Sequence, residues 1–211
     1  MILILIGAPG AGKGTQADKL VEETDCYKIS TGDALRRQIS LGTEIGKLAE
    51  SFINEGNLVP DDVLLGVLKA ELSGKEDKLV LLDGYPRNLQ QAKTLETLKS
   101  SYPVSNVIHL DVGSELLMKR LTGRRVCSGC GASYHMISMP PAKEGFCDRC
   151  GDSLYQRKDD HEDKIRTRLE VYDRETSPVL DFYKEKGLYT RVNAEGSASD
   201  VFEQLKKFVN A

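Results

Sequence analysis

A glycine-rich loop near the N-terminus has the residue types and the spacing needed to bind phosphate. Residues 7–15 read GAPGAGKGT, follow an apolar run at residues 2–6 and precede a helical pattern. Glycines let backbone N–H groups close around phosphate oxygens, and the N-terminus of a following helix adds partial positive charge. Lys13 would reach the β- and γ-phosphates of a nucleoside triphosphate. The loop therefore predicts nucleotide binding, and a glycine-rich turn without a ligand is the alternative.

The loop departs from the common phosphate-loop pattern at one position. Gly14 follows the lysine, where a serine or threonine usually supplies a hydroxyl ligand for Mg²⁺. Thr15 lies one residue later and is expected to bind phosphate. This arrangement leaves Mg²⁺ to carboxylates and water.

Four of the five cysteines form a second cluster with the spacing of a metal site. They are arranged as two C-x-x-C pairs separated by sixteen residues: Cys127, Cys130, Cys147 and Cys150. This spacing fits a tetrahedral zinc site with four cysteine ligands. Four protein ligands leave no position for water or substrate, so the predicted metal is structural. Disulfides and another metal such as iron are the alternatives.

The elements that position these clusters follow from the hydrophobic pattern. Five short apolar runs predict strands, with helical periods between them: residues 2–6, 27–30, 79–82, 104–110 and 189–192. This alternation predicts an α/β fold with a parallel sheet covered on both faces. About 36 residues before residue 160 lack a helical period and contain the cysteines. We interpret them as an arm inserted into the α/β core.

Composition and charge exclude several classes of protein. A formal net charge of −3 argues against a general nucleic-acid binder. No apolar stretch approaches the length of a membrane span, and the short run at residues 2–6 does not resemble a secretory signal. We therefore expect a cytoplasmic protein with no membrane or nucleic-acid partner. Paired cysteines in that compartment are more often metal ligands than disulfides.

Further motifs follow the loop in a fixed order, and together they resemble the nucleoside monophosphate kinases, in particular the adenylate kinases. They are STGD at residues 30–33, NLV at 57–59, DGYPR at 83–87 with Gln91, GRR at 123–125, and RKDD at 157–160 with Arg168. The resemblance spans nearly the whole chain and includes the long lid of many bacterial members. It implies a P-loop three-layer α/β sandwich with a five-stranded parallel sheet in the order 2-3-1-4-5.

The resemblance also implies a domain organisation and an activity. The core would comprise residues 1–29, 60–123 and 159–211. A helical insertion at residues 30–59 would bind the nucleoside monophosphate, and a zinc-containing lid would comprise residues 124–158. The implied enzyme is a monomer that uses Mg²⁺ to transfer a phosphoryl group reversibly from ATP to AMP, giving two ADP.

Individual site residues are implied by the same motifs. The catalytic set is Lys13, Asp83, Arg87, Arg124, Arg157 and Arg168. The ATP-binding set is Gly10, Ala11, Gly12, Lys13, Gly14, Thr15, Arg120, Arg124, Ser133, Tyr134 and Gly196. The AMP-binding set is Thr31, Arg36, Asn57, Leu58, Val59, Gly84, Tyr85, Pro86, Arg87, Gln91, Arg157 and Arg168.

The charges of these residues suit phosphoryl transfer. ATP and AMP together bring about six negative charges to one cleft, and catalysis of this kind needs many fixed cations. Arginine is suited to the task because its rigid fork can contact two phosphate oxygens at once. By resemblance, Asp83 would orient Mg²⁺ through water, with help from Asp33. Asp159 and Asp160 would either lock the closed lid or cap the following helix.

Two alternative functions remain at this stage. A kinase for another nucleoside monophosphate would share the fold and mechanism, and only the shape of the base pocket would differ. A P-loop switch protein would share the phosphate loop, but the chain lacks a guanine-reading N-K-x-D motif. Arg36 and Arg87 would also have no purpose in a switch. A zinc-ribbon module for nucleic acid is disfavoured because the zinc loop is not basic.

Overall fold

The computed structural model describes residues 1–209, which form two β-sheets and the helices around them. The strands are β1 (Ile2–Ile6), β2 (Cys26–Ser30), β3 (Leu79–Asp83), β4 (Val104–Asp111), β5 (Arg124–Cys127), β6 (Ser133–His135), β7 (Leu154–Tyr155) and β8 (Tyr189–Asn193). The α-helices are α1 (Lys13–Glu23), α2 (Thr31–Ser40), α3 (Glu44–Glu55), α4 (Asp61–Leu72), α5 (Leu89–Glu96), α6 (Ser114–Thr122), α7 (Glu162–Val171), α8 (Ser177–Glu185) and α9 (Ala198–Lys206). The last two residues of the predicted core segment 159–211 lie outside the described residues.

The larger sheet has five parallel strands in the order β2-β3-β1-β4-β8. Helices cover both of its faces, so the predicted α/β sandwich and its strand order are confirmed. Parallel strands need helical crossovers, which is why strand and helix alternate along the sequence. The carboxyl ends of all five strands therefore lie at one edge of the sheet, where ligands of open α/β sheets usually bind.

β1 shows why an uninterrupted apolar run belongs at the centre of this sheet. All five of its residues are buried. Ile2, Ile4 and Ile6 pack into the core on one face, which includes residues of α4, α5 and α8. Leu3 and Leu5 pack into the other core with residues of α1, α6 and α9. Both faces of the strand must therefore be apolar, because side chains alternate between them.

The cysteine-containing segment, predicted as an arm without helical period, forms a separate small sheet. Its strands are antiparallel and have the order β6-β5-β7. The apolar cluster of this sheet is small and consists mainly of Cys127, Tyr134 and Cys147. Within residues 1–209, none of the helices is both long enough and apolar enough to span a bilayer.

The hairpin of α2 and α3 depends on a glycine at its closest point. Gly46 lies in the first turn of α3, where Thr43 caps the helix by accepting a hydrogen bond from the Gly46 N–H at 3.1 Å. A Cβ atom added to Gly46 would lie 2.2 Å from the carbonyl oxygen of Gln38 in α2. The neighbouring atoms are backbone and cannot move aside as a flexible side chain could. Only glycine fits here without separating the two helices.

We predict that Gly46→Ala destabilises the protein, whereas Gly66→Ala in α4 does not. The first substitution should lower the free energy of unfolding by about 1–3 kcal/mol, as overpacking does in other cores. The second adds the same methyl group to open space on an exposed helix position, so helix propensity should raise stability by up to about 1 kcal/mol. Urea unfolding followed by circular dichroism measures both. Equal effects of the two substitutions would contradict the steric explanation.

Candidate active site

One cavity of about 980 Å³ opens at the carboxyl ends of the parallel strands and extends between the α2–α3 hairpin and the cysteine-containing sheet. It is lined by twenty-two of the predicted site residues: Gly10, Ala11, Gly12, Lys13, Gly14, Thr15, Thr31, Arg36, Asn57, Leu58, Val59, Asp83, Gly84, Pro86, Arg87, Arg120, Arg124, Ser133, Tyr134, Arg157, Arg168 and Gly196. Tyr85 and Gln91 are predicted site residues that do not line it. The fold thus gathers residues from most of the chain into one site.

The phosphate loop connects β1 to α1 and needs glycine at its tightest turns. Gly10 and Gly12 have φ values of +87° and +96°, which L-residues with side chains rarely adopt. A Cβ on Gly10 would also lie 2.9 Å from Leu121 Cγ. Gly12 precedes α1, and among the described residues no side chain caps that helix. The first N–H groups of α1 therefore remain available to phosphate oxygens.

Lys13 is held inside the loop by backbone carbonyls. Its Nζ donates to Gly7 O at 2.6 Å and to Ala8 O at 3.1 Å. Burial lowers the pKa of Lys13 to about 8, although the nearby charge of Asp83 opposes the shift. The charges of three cavity arginines, the first of which is Arg87, lower it further. A bound phosphate would favour the charged ammonium of Lys13 and so raise its pKa again.

The arginines that share the cavity with Lys13 repel one another. Burial lowers the pKa of Arg157 to about 10, and the positive charges of Arg36 and Arg124 contribute to the decrease. The pKa values of Arg87 and Arg168 are lowered in the same way, first by burial. The Nε of Arg157 is buried and has no hydrogen-bond partner among the described residues. Such a cluster is suited to receive several anionic groups.

Asp160 holds two of these arginines in place. Its side chain is fully buried and accepts from Arg124 Nε at 2.7 Å and from Arg124 Nη2 at 2.5 Å. The same carboxylate accepts from Arg168 Nη1 at 3.0 Å, and Asp159 lies 3.2 Å from that nitrogen. Neither aspartate caps α7, which begins after His161. The geometry therefore gives no support for the helix-capping role, whereas Asp160 joins Arg124 to Arg168.

The DGYPR loop positions its arginine through backbone and buried amide contacts. Arg87 Nε donates to Gly84 O at 2.7 Å, and the Thr31 hydroxyl donates to the same carbonyl at 2.9 Å. The buried Gln91 accepts from the Arg87 N–H at 2.7 Å and donates to Asp61 Oδ1 at 2.7 Å. The Tyr85 hydroxyl donates to the Gln91 backbone carbonyl at 3.2 Å. Gln91 and Tyr85 thus support the loop from behind, and this geometry gives no support for their predicted contact with a nucleotide.

His135 also borders the cavity, although none of the sequence motifs includes it. Its Nδ1 accepts from the backbone N–H groups of Ile137 and Ser138, each at 3.1 Å. These bonds assign the proton to Nε2, which donates to Lys119 O at 3.2 Å. A Cβ on Gly123 would overlap the imidazole. His135 therefore anchors β6 to the end of α6. The signal in the sequence for this contact was Gly123, which leaves room for the imidazole.

Arg120 lines the cavity, whereas Arg125 does not. Arg120 Nη2 donates to Ala194 O at 2.9 Å, beside the predicted Gly196. Arg125 donates to the carbonyls of Thr122 and Arg124 and does not line the cavity. Of the two arginines in the GRR motif, Arg124 thus lines the cavity and Arg125 hydrogen-bonds to the backbone.

The four predicted metal ligands converge on one point. Their sulfur atoms all lie within 4.8 Å of one another. Cys127 and Cys150 are 3.4 Å apart between Sγ atoms, and Cys130 and Cys147 are 3.6 Å apart. A zinc ion with Zn–S bonds of about 2.3 Å requires sulfur separations of roughly 3.8 Å. All five cysteines are unbridged, so the structure gives no support for the disulfide alternative.

Backbone N–H groups and a tyrosine complete the surroundings of the sulfur atoms. The Cys130 N–H donates to Cys127 Sγ at 3.5 Å, and the Arg149 N–H donates to Cys147 Sγ at 3.4 Å. Such bonds stabilise thiolates and are typical of a metal site. The Tyr134 hydroxyl lies 3.4 Å from Cys147 Sγ, and Tyr134 also lines the cavity. The residues present therefore fit a structural zinc ion next to the cavity wall.

Comparisons with known proteins agree with this geometry. A family model described as adenylate kinase matches residues 5–188. The adenylate kinase of Geobacillus sp. (strain WCH70) is 46% identical over 213 residues, which cover 99% of this chain and 98% of the relative. The adenylate kinase of Thermodesulfovibrio yellowstonii is 47% identical over 208 residues, with 97% of each chain covered. That of Bacillus subtilis (strain 168) is 46% identical over 210 residues, covering 98% and 96% of the two chains.

These similarities extend across the core, the α2–α3 hairpin and the cysteine-containing sheet, and they match the resemblance predicted from the motifs. The chain therefore belongs to the adenylate kinase family.

Proposed function

We propose that this cavity catalyses the reversible transfer of a phosphoryl group from ATP to AMP, giving two ADP. The observation that carries the proposal is that cations approach the cavity from two sides. Lys13 lies in the phosphate loop, whereas Arg36 and Arg87 lie on α2 and the DGYPR loop. A switch protein needs only the first set. Two phosphate sites in one cavity favour transfer between two nucleotides.

The donor nucleotide is proposed to bind along the phosphate loop. The N–H groups of residues 10–15 and the ammonium of Lys13 would hold its phosphates. Arg120 and Gly196 also line the cavity and would contact the adenine of ATP, together with Ser133 and Tyr134 of the cysteine-containing sheet. Mg²⁺ bound with ATP would neutralise charge on the phosphates, and the buried Asp83 and the nearby Asp33 are the carboxylates that would orient it through water.

The acceptor nucleotide is proposed to bind between the α2–α3 hairpin and the DGYPR loop. Arg36 and Arg87 would hold its phosphate, and Thr31 with residues 57–59 would surround its base. Arg124, Arg157 and Arg168 line the same cavity. They would lie between the two phosphates and stabilise the charge that develops during transfer. Each such donor is worth roughly 3–4 kcal/mol in comparable oxyanion sites.

We also propose that residues 124–158 act as a lid and residues 30–59 as an acceptor-binding domain, both moving against the core formed by the remaining segments. Arg124 lies at the start of the lid and Arg157 near its end, so one rigid movement would bring both over the phosphates. Closure would exclude water and limit hydrolysis of ATP. The proposed enzyme is a cytoplasmic monomer, in which reducing conditions keep the cysteines available to metal.

Product analysis tests the proposed reaction. Mg-ATP incubated separately with AMP, GMP, CMP and UMP should give ADP from both substrates in equal amounts with AMP only. A matched incubation without a monophosphate should leave ATP intact, because both phosphate sites must be filled. Chromatography resolves the products. A preference for another monophosphate would overturn the assignment of the acceptor base pocket, and ATP turnover that ignores every monophosphate would reject transfer altogether.

The zinc ion is proposed to replace a hydrophobic core in the lid. The lid's apolar cluster is small, whereas a structural zinc ion contributes on the order of 10 kcal/mol of folding free energy in small domains. The four thiolates would satisfy the metal completely, so the reaction itself would not use it.

We predict that losing this zinc ion lowers stability more than activity. Cys150→Ser, or chelation with Mg²⁺ restored afterwards, should lower the melting temperature by roughly 10 °C. Below both melting temperatures, kcat should change by less than about threefold. Elemental analysis should find one zinc per chain in the parent and in the control Cys26→Ser, whose cysteine lies outside the cluster. A metal-free protein with an unchanged melting temperature would disprove the structural role.

A further inference from the structure

Lys28 borders the cavity but has no role in the proposed chemistry. It lies on β2, the edge strand of the parallel sheet, and its side chain is only 18% exposed. Its Nζ lies 2.7 Å from Asp18 Oδ1 in α1 and 3.7 Å from Asp33 Oδ2 in α2. A lysine is thus held between two carboxylates from different elements at the wall of the active site.

Asp33 connects this lysine to the proposed acceptor site. Its Oδ1 accepts from Arg36 Nη2 at 2.6 Å and lies 3.9 Å from Arg157 Nη2. Its other oxygen faces Lys28. Burial raises the pKa of Asp33, but the charges of Arg36, Lys28 and Arg157 outweigh this effect and hold it well below its usual range. Asp33 is therefore an anion that occupies the guanidinium groups proposed for the AMP phosphate.

A phosphate that arrives at Arg36 must compete with this carboxylate. If Arg36 turns to the phosphate, Asp33 loses its shortest ion pair while remaining charged. This loss is unfavourable, although the Asp33 side chain is 52% exposed and water offsets part of it. Lys28 and Arg157 are the other cations close to Asp33, and only Lys28 faces its second oxygen, where Asp18 restrains it. Burial lowers the pKa of Lys28, but the hydrogen bond that it donates to Asp18 and the charges of Asp83 and Asp33 raise it above the ordinary value overall. Lys28 therefore remains charged.

We propose that Lys28 is a positioning residue for the acceptor nucleotide: it compensates the charge of Asp33 and so releases Arg36 to bind the AMP phosphate. The short contact with Asp18 explains why Lys28 stays beside Asp33 and does not move to the phosphates itself. This inference rests on the proposed binding of AMP by Arg36.

Steady-state kinetics of Lys28→Gln test the inference. KM for AMP should rise about fivefold or more, because Asp33 would retain Arg36, while kcat and KM for ATP stay within about twofold. Lys28→Arg keeps the charge and should restore KM for AMP. Lys69→Gln, at an exposed position of α4, should change none of the three constants.

A double-mutant cycle identifies Asp33 as the residue through which Lys28 acts. In an Asp33→Asn background there is no charge to compensate, so Lys28→Gln should change KM for AMP by less than about twofold. A full effect in that background would overturn the inference. So would a Lys28→Gln variant that raises KM for both nucleotides together with a lower melting temperature, because that result indicates a structural ion pair only.

Arg36→Gln distinguishes a failure of the inference about Lys28 from a failure of the proposed acceptor site. If it raises KM for AMP whereas Lys28→Gln does not, the inference about Lys28 fails and the proposed acceptor site stands. If Arg36→Gln leaves KM for AMP unchanged, the proposed acceptor site fails, and the inference fails with it.

Discussion

The mutual repulsion of the cavity cations is the constraint on which the rest of this structure depends. Three lysines and six arginines line the same space, and burial in the protein strengthens their interaction relative to water. Burial is the main cause of the lowered pKa values of Lys13 and Arg157, and neighbouring arginines lower both further, although the charge of Asp83 opposes the shift of Lys13. A protein without nucleotides gains nothing from such a cluster. The negative charges of two bound substrates would offset this repulsion, so that the cations contribute favourably to substrate binding.

The scaffold supplies what keeps these charges together. Parallel strands bring the phosphate loop, Asp83 and the DGYPR loop to one edge of the sheet, and the buried carboxylate of Asp160 joins Arg124 to Arg168. The cysteine cluster stabilises the segment between Arg124 and Arg157, which has little apolar core of its own. Buried charges of this kind contribute little net stability, because desolvation offsets their attraction. Their value lies in geometry.

Much of the fold and part of the site could be predicted from the sequence, for identifiable reasons. The hydrophobic pattern, the glycine positions and the cysteine spacing are local features of the sequence. The strands, the phosphate loop and the metal site could therefore be predicted from them. Long-range pairing is not local: nothing in the RKDD motif distinguishes a helix cap from the bidentate contact of Asp160 with Arg124, 36 residues away. For the same reason the motif does not show that Gln91 and Tyr85 support the Arg87 loop, and their contact with a nucleotide stays a prediction. Lys28 carries no motif and was missed.

The measurement that tests this account most directly compares stability and activity in Arg157→Gln. Arg157 has a side chain 13% exposed, a buried Nε without a partner among the described residues, and two arginines nearby that lower its pKa. Removing its charge should leave the melting temperature unchanged or higher while kcat/KM falls about 100-fold or more. Arg166→Gln, on the exposed side of α7, should change neither quantity appreciably. A variant that melts several degrees lower yet retains its activity would contradict the claim that the cations are held together for the substrates.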